Sequence, residues 1–418
     1  MKLNKILFLF LALLLLTDCG SGGGSHFSSG RGVSLTVTGD NALPLTVNGS
    51  HCSGTAYLNE PCVSVTVCEP GNSASCQTIN DILLDTGDIG FRVFKKVIKP
   101  ALLGSFTQVT ATNGDPVAEC VQYADGSLNW GSVKTADVVL ANEPAVTVPI
   151  QVIDSTFAKG QNVCQNPNTT PTATGFNGSL GMGFWLQDCG STCETKPNNG
   201  QYYSCNGSIC NGTTVSASGT SGQVQNPVAL LPLFNGHQDN NGVMLVLPAV
   251  PSSGALYADG ALVLGIDTQL NNSSSGVTVY DADQFGEFTT TLNGIPYSSS
   301  FIDSGSNGLF FPRSGLQLSK CSSPNYSGWY CPSSTRNLSA DTTGASGSPN
   351  PATVVPFQIG DFAALVNSPN NVFANIGGNI GNNSGPFDWG LPFFLGRKVF
   401  IGIEGQTSNL GTGPYWAF

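Results

Sequence analysis

The chain has 418 residues, enough for two to three domains or one large two-lobed unit with a sizeable core. Only 10% of its residues are charged, while 52 are glycine and 25 are proline, which argues against long amphipathic helices and for short strands joined by turns. A net charge of -11 offers no grip on phosphate backbones, so nucleic acid is excluded as a partner; three histidines (His26, His51, His237) are too few and too scattered for the usual zinc sites.

At the N-terminus, Lys2 and Lys5 precede an unbroken apolar run from Ile6 to Leu16, which reads as a secretory signal peptide over residues 1–18 and is too short to span a bilayer comfortably. Leu16-Thr17-Asp18-Cys19-Gly20 resembles the bacterial lipobox, with Cys19 as the lipid-bearing residue, although Asp18 stands where a small residue is expected. Either Cys19 tethers the protein to a membrane, or ordinary signal cleavage leaves it periplasmic or secreted. The Gly/Ser-rich stretch that follows makes residues 19–32 a flexible tether. Thirteen cysteines are present, and setting Cys19 aside leaves an even number, compatible with six disulfides in an oxidising compartment; Cys68/Cys76 and Cys321/Cys331 are the expected local closures.

From Val33 onward, strands are expected at 63–67, 133–140, 146–153, 243–247 and 261–266, alternating with Gly/Ser/Asn-rich turns, so the fold class is all-β. The polar stretches 206–223 and 339–350 read as a surface loop and a strand separator. Phe310-Phe311 and Phe393-Phe394 read as core, His237 as a loop residue, and Asp81 and Asp115 as turn or surface residues.

A weak internal repeat runs through the chain. Ile82-Leu83-Leu84-Asp85-Thr86-Gly87 is echoed by Ser300-Phe301-Ile302-Asp303-Ser304-Gly305, and each is followed by an apolar segment. A Leu-Gly step follows in each half, at Gly181 and at Gly396. An apolar strand ending in Asp-Thr/Ser-Gly puts a carboxylate on a tight turn, where glycine permits close backbone approach and the hydroxyl braces the turn. Two such turns related by a two-fold arrangement would bring Asp85 and Asp303 face to face. Two carboxyl groups in contact share one proton, so one can act as base toward water while the other acts as acid, the machinery for hydrolysing a peptide bond without a metal or cofactor.

On these residues the chain resembles the pepsin-like aspartic proteases. Further similar segments follow in family order: Tyr123-Ala124-Asp125-Gly126-Ser127 resembles the flap hairpin, Phe176 to Gly183 the segment closing the first lobe, Leu262 to Asp267 the strand entering the second, and Leu391 to Gly396 its late Leu-Gly strand. The resemblance implies a two-lobed acid-protease fold with a central cleft, an N-terminal lobe over 33–250 and a C-terminal lobe over 251–418. It also implies catalytic Asp85 and Asp303, supporting Thr86, Gly87, Asp88, Ser304, Gly305 and Ser306, a flap with Tyr123 and Gly126, and a polypeptide bound by a monomer.

Three departures stand out. Asp88 occupies a position where the family usually has Ser or Thr; pointing inward it adds a third negative charge to the site, and pointing outward it is merely polar. Gly90-Phe91-Arg92 replaces the usual Asn-Leu-Trp, and Arg92 is expected to pair with Asp88. Between Cys19 and Pro61 the only basic residue is Arg31, so a basic, cleft-plugging prosegment is not expected. Two functions remain open at this stage: an exported endopeptidase, or a catalytically inactive relative whose cleft binds peptides, proteins or glycans, as Asp88 and the cysteine-rich stretch 189–210 would suit.

Overall fold

Strands form where β-branched and apolar residues alternate between turn formers. In Pro61–Glu69, Val63, Val65 and Val67 are buried while Ser64 and Thr66 between them are partly exposed, the two-residue period of a strand with one face in the core. Pro70-Gly71, with Gly71 at φ 76°, then reverses the chain into the long strand Asn72–Asp85. The computed structural model describes residues 31–418 apart from 55, 56, 218, 221, 314, 350 and 382–384; the signal peptide of 1–18, Cys19 and the tether up to residue 30 lie outside the described residues. The protein is all-β: a 17-stranded sheet and a 7-stranded sheet carry almost all the regular structure, and the helices are short pieces of one or two turns. Among the described residues no helix is long and apolar enough to cross a membrane.

The larger sheet draws on both ends of the chain. Ala258–Leu264 pairs with Ala42–Val47 on one side and with Gly242–Val246 on the other, and Gly242–Val246 pairs in turn with Lys398–Gly402. The chain therefore passes residue 250 in the link between two paired strands of one sheet. The expected strands fall within Pro61–Glu69, Leu128–Val139, Val146–Ile153, Gly242–Val246 and Ala258–Leu264, with ends shifted by a few residues. Phe310, Phe311, Phe393 and Phe394 are buried and His237 is exposed.

Other expectations need correction. The stretch 206–223 is only partly a surface loop: Ile209–Gly212 pairs with Tyr202–Asn206, while Val215 and Gln223 are buried. The stretch 339–350 begins inside the strand Arg336–Thr343, because its polar residues lie on an edge hairpin with Thr353–Ile359 whose outer face is solvated. Asp81 is buried, at φ 60° within its strand, with its amide donating to His51 O and its carbonyl accepting from Asn177 N–H.

All twelve described cysteines form six disulfides, the expected Cys68–Cys76 and Cys321–Cys331 among them, with Cys52–Cys62, Cys120–Cys164, Cys189–Cys193 and Cys205–Cys210. So many bridges point to an oxidising, extracytoplasmic environment. Their weights differ by loop length. Cys120 and Cys164 are 44 residues apart and Cys189 and Cys193 only 4. Chain entropy alone assigns about 4 kcal/mol to the first and about 2 to the second. Urea unfolding of Cys120→Ala/Cys164→Ala should therefore show the larger loss of stability, and the opposite order would contradict this ranking.

Candidate active site

Each aspartate turn is built by the same three-strand device. Asn72–Asp85 runs parallel to Gly178–Met182, with Gly181 opposite Asp85, and Gly178–Met182 also lies antiparallel to Ile89–Phe94. In the second half Ile295–Ile302 runs parallel to Asp388–Trp389, which lies antiparallel to Leu309–Phe310. Ile302 is opposite Trp389, so the residue that matches Gly181 is Gly390. The expected Leu395-Gly396 step is thus not the counterpart: Gly396, at φ 82°, lies in the turn before Lys398–Gly402. Both matching positions need glycine, because a Cβ on Gly181 would overlap the Asp88–Ile89 backbone and one on Gly390 the carbonyls of Ser306 and Gly308.

The two turns meet. A Cβ on Gly87 would lie 3.0 Å from Asp303 Cγ. Thr86 N–H donates to Ser304 Oγ (3.1 Å) and Ser304 N–H to Thr86 Oγ1 (2.9 Å). Each hydroxyl then donates across to the partner strand, Thr86 Oγ1 to Ile302 O (3.1 Å) and Ser304 Oγ to Leu84 O (2.6 Å). Asp85 Oδ1 accepts Gly87 N–H and Asp303 Oδ1 accepts Gly305 N–H, both at 2.8 Å. The two carboxyl groups are hydrogen-bonded to each other and buried.

Burial, followed by the charges of Asp303 and Asp88, pushes Asp85 well above the usual carboxylate range. Burial raises Asp303 too, but hydrogen bonds from Asp85, Gly305 and Ser306 pull it back, Ser306 Oγ donating to Asp303 Oδ2 at 3.0 Å. Two carboxyl groups in such contact share one proton.

At the position matching Ser306 stands Asp88. It lines the cavity, and Oδ2 accepts from Arg92 Nη1 at 2.9 Å, so the expected ion pair forms. Arg92 is fully buried and also meets Asp188 (2.7 Å) and Glu119 (3.0 Å). Gln201 Nε2 bridges those two carboxylates, and Tyr202 OH donates to Asp188 Oδ1. Burial and the Glu119 charge push Asp188 well up, against the opposing pull of Arg92 and Tyr202.

Val117–Gln122 and Leu128–Val139 form the expected hairpin, closed by Tyr123 N–H on Ser127 O and Gly126 N–H on Tyr123 O, with Gly126 at φ 87°. Tyr123 OH accepts from Asn129 Nδ2 (3.0 Å) and reaches Asp88 Oδ2 (3.4 Å). The hairpin covers a cavity of about 580 Å³ lined by both aspartates, Asp88, Tyr123, Phe184 and Trp416 among others.

Residues 37–418, which include both aspartate turns and the hairpin, match the family model described as protein of unknown function (DUF3443). The chain belongs to the DUF3443 family. No curated protein matches it.

Several groups of this DUF3443 chain's site carry no motif in the sequence: Glu119, Asp188, Gln201 and Tyr202 around Arg92, the aromatic pair Phe184 and Trp416, and Asp388. Asp388 is fully buried, and burial with the Asp303 charge pushes it well up, against a hydrogen bond with Ser306. Its place opposite Phe301 matches that of Ser179 opposite Leu83. Among the described residues one group has metal-ligand spacing, Cys52, Cys62 and Asp81, but its two sulfurs are joined in a disulfide.

Replacing Ser304 by Ala leaves Thr86 N–H and Leu84 C=O unpaired in the core, and should cost about 2–4 kcal/mol in urea unfolding, whereas Ser304→Thr should cost far less. A second prediction concerns pH. Asp81, Asp85, Asp188, Asp303 and Asp388 are all raised by burial, and Glu143 is pushed up to about 7 by burial and by Asp239. Raised carboxyls favour the folded state while protonated, so their contribution is full below the ordinary carboxylate range and is lost as pH rises toward the raised values. The denaturation midpoint should be highest at about pH 4 and fall toward about pH 8, and a maximum at neutral pH would refute this.

Proposed function

We propose that this protein is an exported aspartic-type endopeptidase of the two-lobed, pepsin-like kind, each half contributing one aspartate to a central cleft. The observation that carries this reading is the buried pair Asp85 and Asp303, held together by the reciprocal Thr86/Ser304 hydrogen bonds in a hairpin-covered cavity.

The chemistry follows from the two protonation states. Ionised Asp303 takes a proton from a water molecule as its oxygen attacks the peptide carbonyl carbon, and Asp85 gives its proton to the carbonyl oxygen. Asp303 then passes its proton to the departing amide nitrogen as the C–N bond breaks. A hydroxyl proton of the tetrahedral intermediate returns to Asp85, leaving acid and amine products and the starting state of the pair. Gly87 and Gly305 N–H hold the carboxyl planes in place, and Tyr123 on the hairpin closes over the bound chain.

The substrate in this reading is an extended polypeptide and the enzyme a monomer. It works outside the cytoplasm, tethered through Cys19 or released to the periplasm or medium. Asp88 supports a second reading, an inactive relative that binds peptides, proteins or glycans, since a carboxylate replaces the hydroxyl that would pair with Asp85.

The test is cleavage of an unfolded protein by oxidised residues 30–418 between about pH 3 and 7, beside an Asp85→Ala/Asp303→Ala double variant. Cleavage by the first and none by the second is the expected result. Equal silence from two folded proteins would leave the binding reading, and a gain of cleavage in Asp88→Ser would identify a detuned enzyme.

A further inference from the structure

The cavity has two chemically distinct walls. Phe184 and Trp416 meet edge to face with centroids 4.4 Å apart, Trp416 Nε1 donates to Gly286 O, and Phe285 lines the same cavity, giving one wall an aromatic character. Asp88, Asp188 and Gln201 form another wall around Arg92, with Gln122 and Tyr123 of the hairpin above it.

Charge is unevenly divided between them. Lining acids are Asp85, Asp88, Asp188, Glu287 and Asp303, against a single lining base, Arg92. That base offers nothing to a ligand. Its terminal nitrogens are taken by Asp88, Glu119, Asp188 and the Ile89 carbonyl (2.5 Å), and its side chain is fully buried. Glu119 is also fully buried, with Oε1 taken by Arg92 and Gln201. Three acids set against one base give the cluster an anionic field. In a half-enclosed cavity such a field is screened little, attracts cations and repels anions.

We infer that the Asp88–Asp188 wall is a specificity subsite for a cationic side chain, lysine or arginine, of the polypeptide whose scissile bond lies on the aspartate pair. The inference rests on the endopeptidase reading for its substrate class. The long apolar stem of such a side chain suits Val121 and the Tyr123 ring, with its charged end at Asp88.

The experiment uses peptides identical except for one residue, Lys, Leu or Glu, placed in turn at each position flanking the cleaved bond, with oxidised residues 30–418. At one of those positions kcat/KM for Lys should exceed that for Leu by about tenfold and that for Glu by more, shrinking as salt is raised. Gln122→Lys, which adds a positive charge from an exposed hairpin position, should erase most of the Lys preference without disturbing the buried cluster. Cleavage in which Leu equals or beats Lys at every position overturns the inference while keeping the endopeptidase. If no peptide is cleaved, the endopeptidase reading fails, and binding of the same peptides measured by fluorescence anisotropy decides the subsite. Tighter binding of the Lys peptides upholds it; equal, weaker or absent binding overturns it.

Discussion

Four hydrogen bonds between the turn at Thr86 and the turn at Ser304 are the constraint on which the rest of the site depends. They join residues 216 to 220 positions apart in the chain, and each hydroxyl both accepts from the opposite backbone and donates to it. The net worth of each bond is modest, about 1 kcal/mol, but none can be lost singly without stranding a buried donor or acceptor. That all-or-none character holds two acids together against their mutual repulsion. The shared proton follows from the distance, and the distance follows from the turns.

Around this centre the two halves are alike in backbone and unlike in side chain. Ser306 supports Asp303 with a hydroxyl, whereas Asp88 at the matching place presents a second charge to Asp85 and pairs with Arg92. Ser179 in one half corresponds to Asp388 in the other. These differences make the surroundings of the two aspartates unequal: the Asp88 charge raises Asp85, while a hydrogen bond from Ser306 lowers Asp303. A fully buried guanidinium would be costly alone; three carboxylates and a carbonyl make it tolerable, and removing any one of them would leave charge stranded in the core.

What could be read from the sequence was whatever has a short-range signature. The strands at 63–67 and 146–153 alternate visibly, the two Asp-Thr/Ser-Gly turns stand at the ends of apolar runs, and the Asp88–Arg92 pair lies within one short segment. Gly390 was missed in favour of Gly396 because a Leu-Gly dipeptide was matched by composition, while the structure selects by register, and Trp389 fills the place of leucine. Asp81 was misread because an acidic residue beside a polar neighbour looks like a surface turn, yet it sits under the loop that reaches His51. Glu119, Asp188 and Gln201 had no signature at all: they are brought to Arg92 from three separate segments, and only tertiary packing makes them neighbours.

Those same residues share one further property. Glu119 immediately precedes Cys120, Asp188 immediately precedes Cys189, and Tyr202 lies in the strand that ends in the Cys205–Cys210 hairpin, so each segment that surrounds Arg92 is covalently pinned within a few residues of its contact. A newly made, reduced chain carries Glu119, Asp188 and Tyr202 on three segments with no covalent tie near their contacts. Completion of the cavity is thereby coupled to oxidative folding, and a molecule that never leaves a reducing compartment lacks the scaffold of its own charged wall.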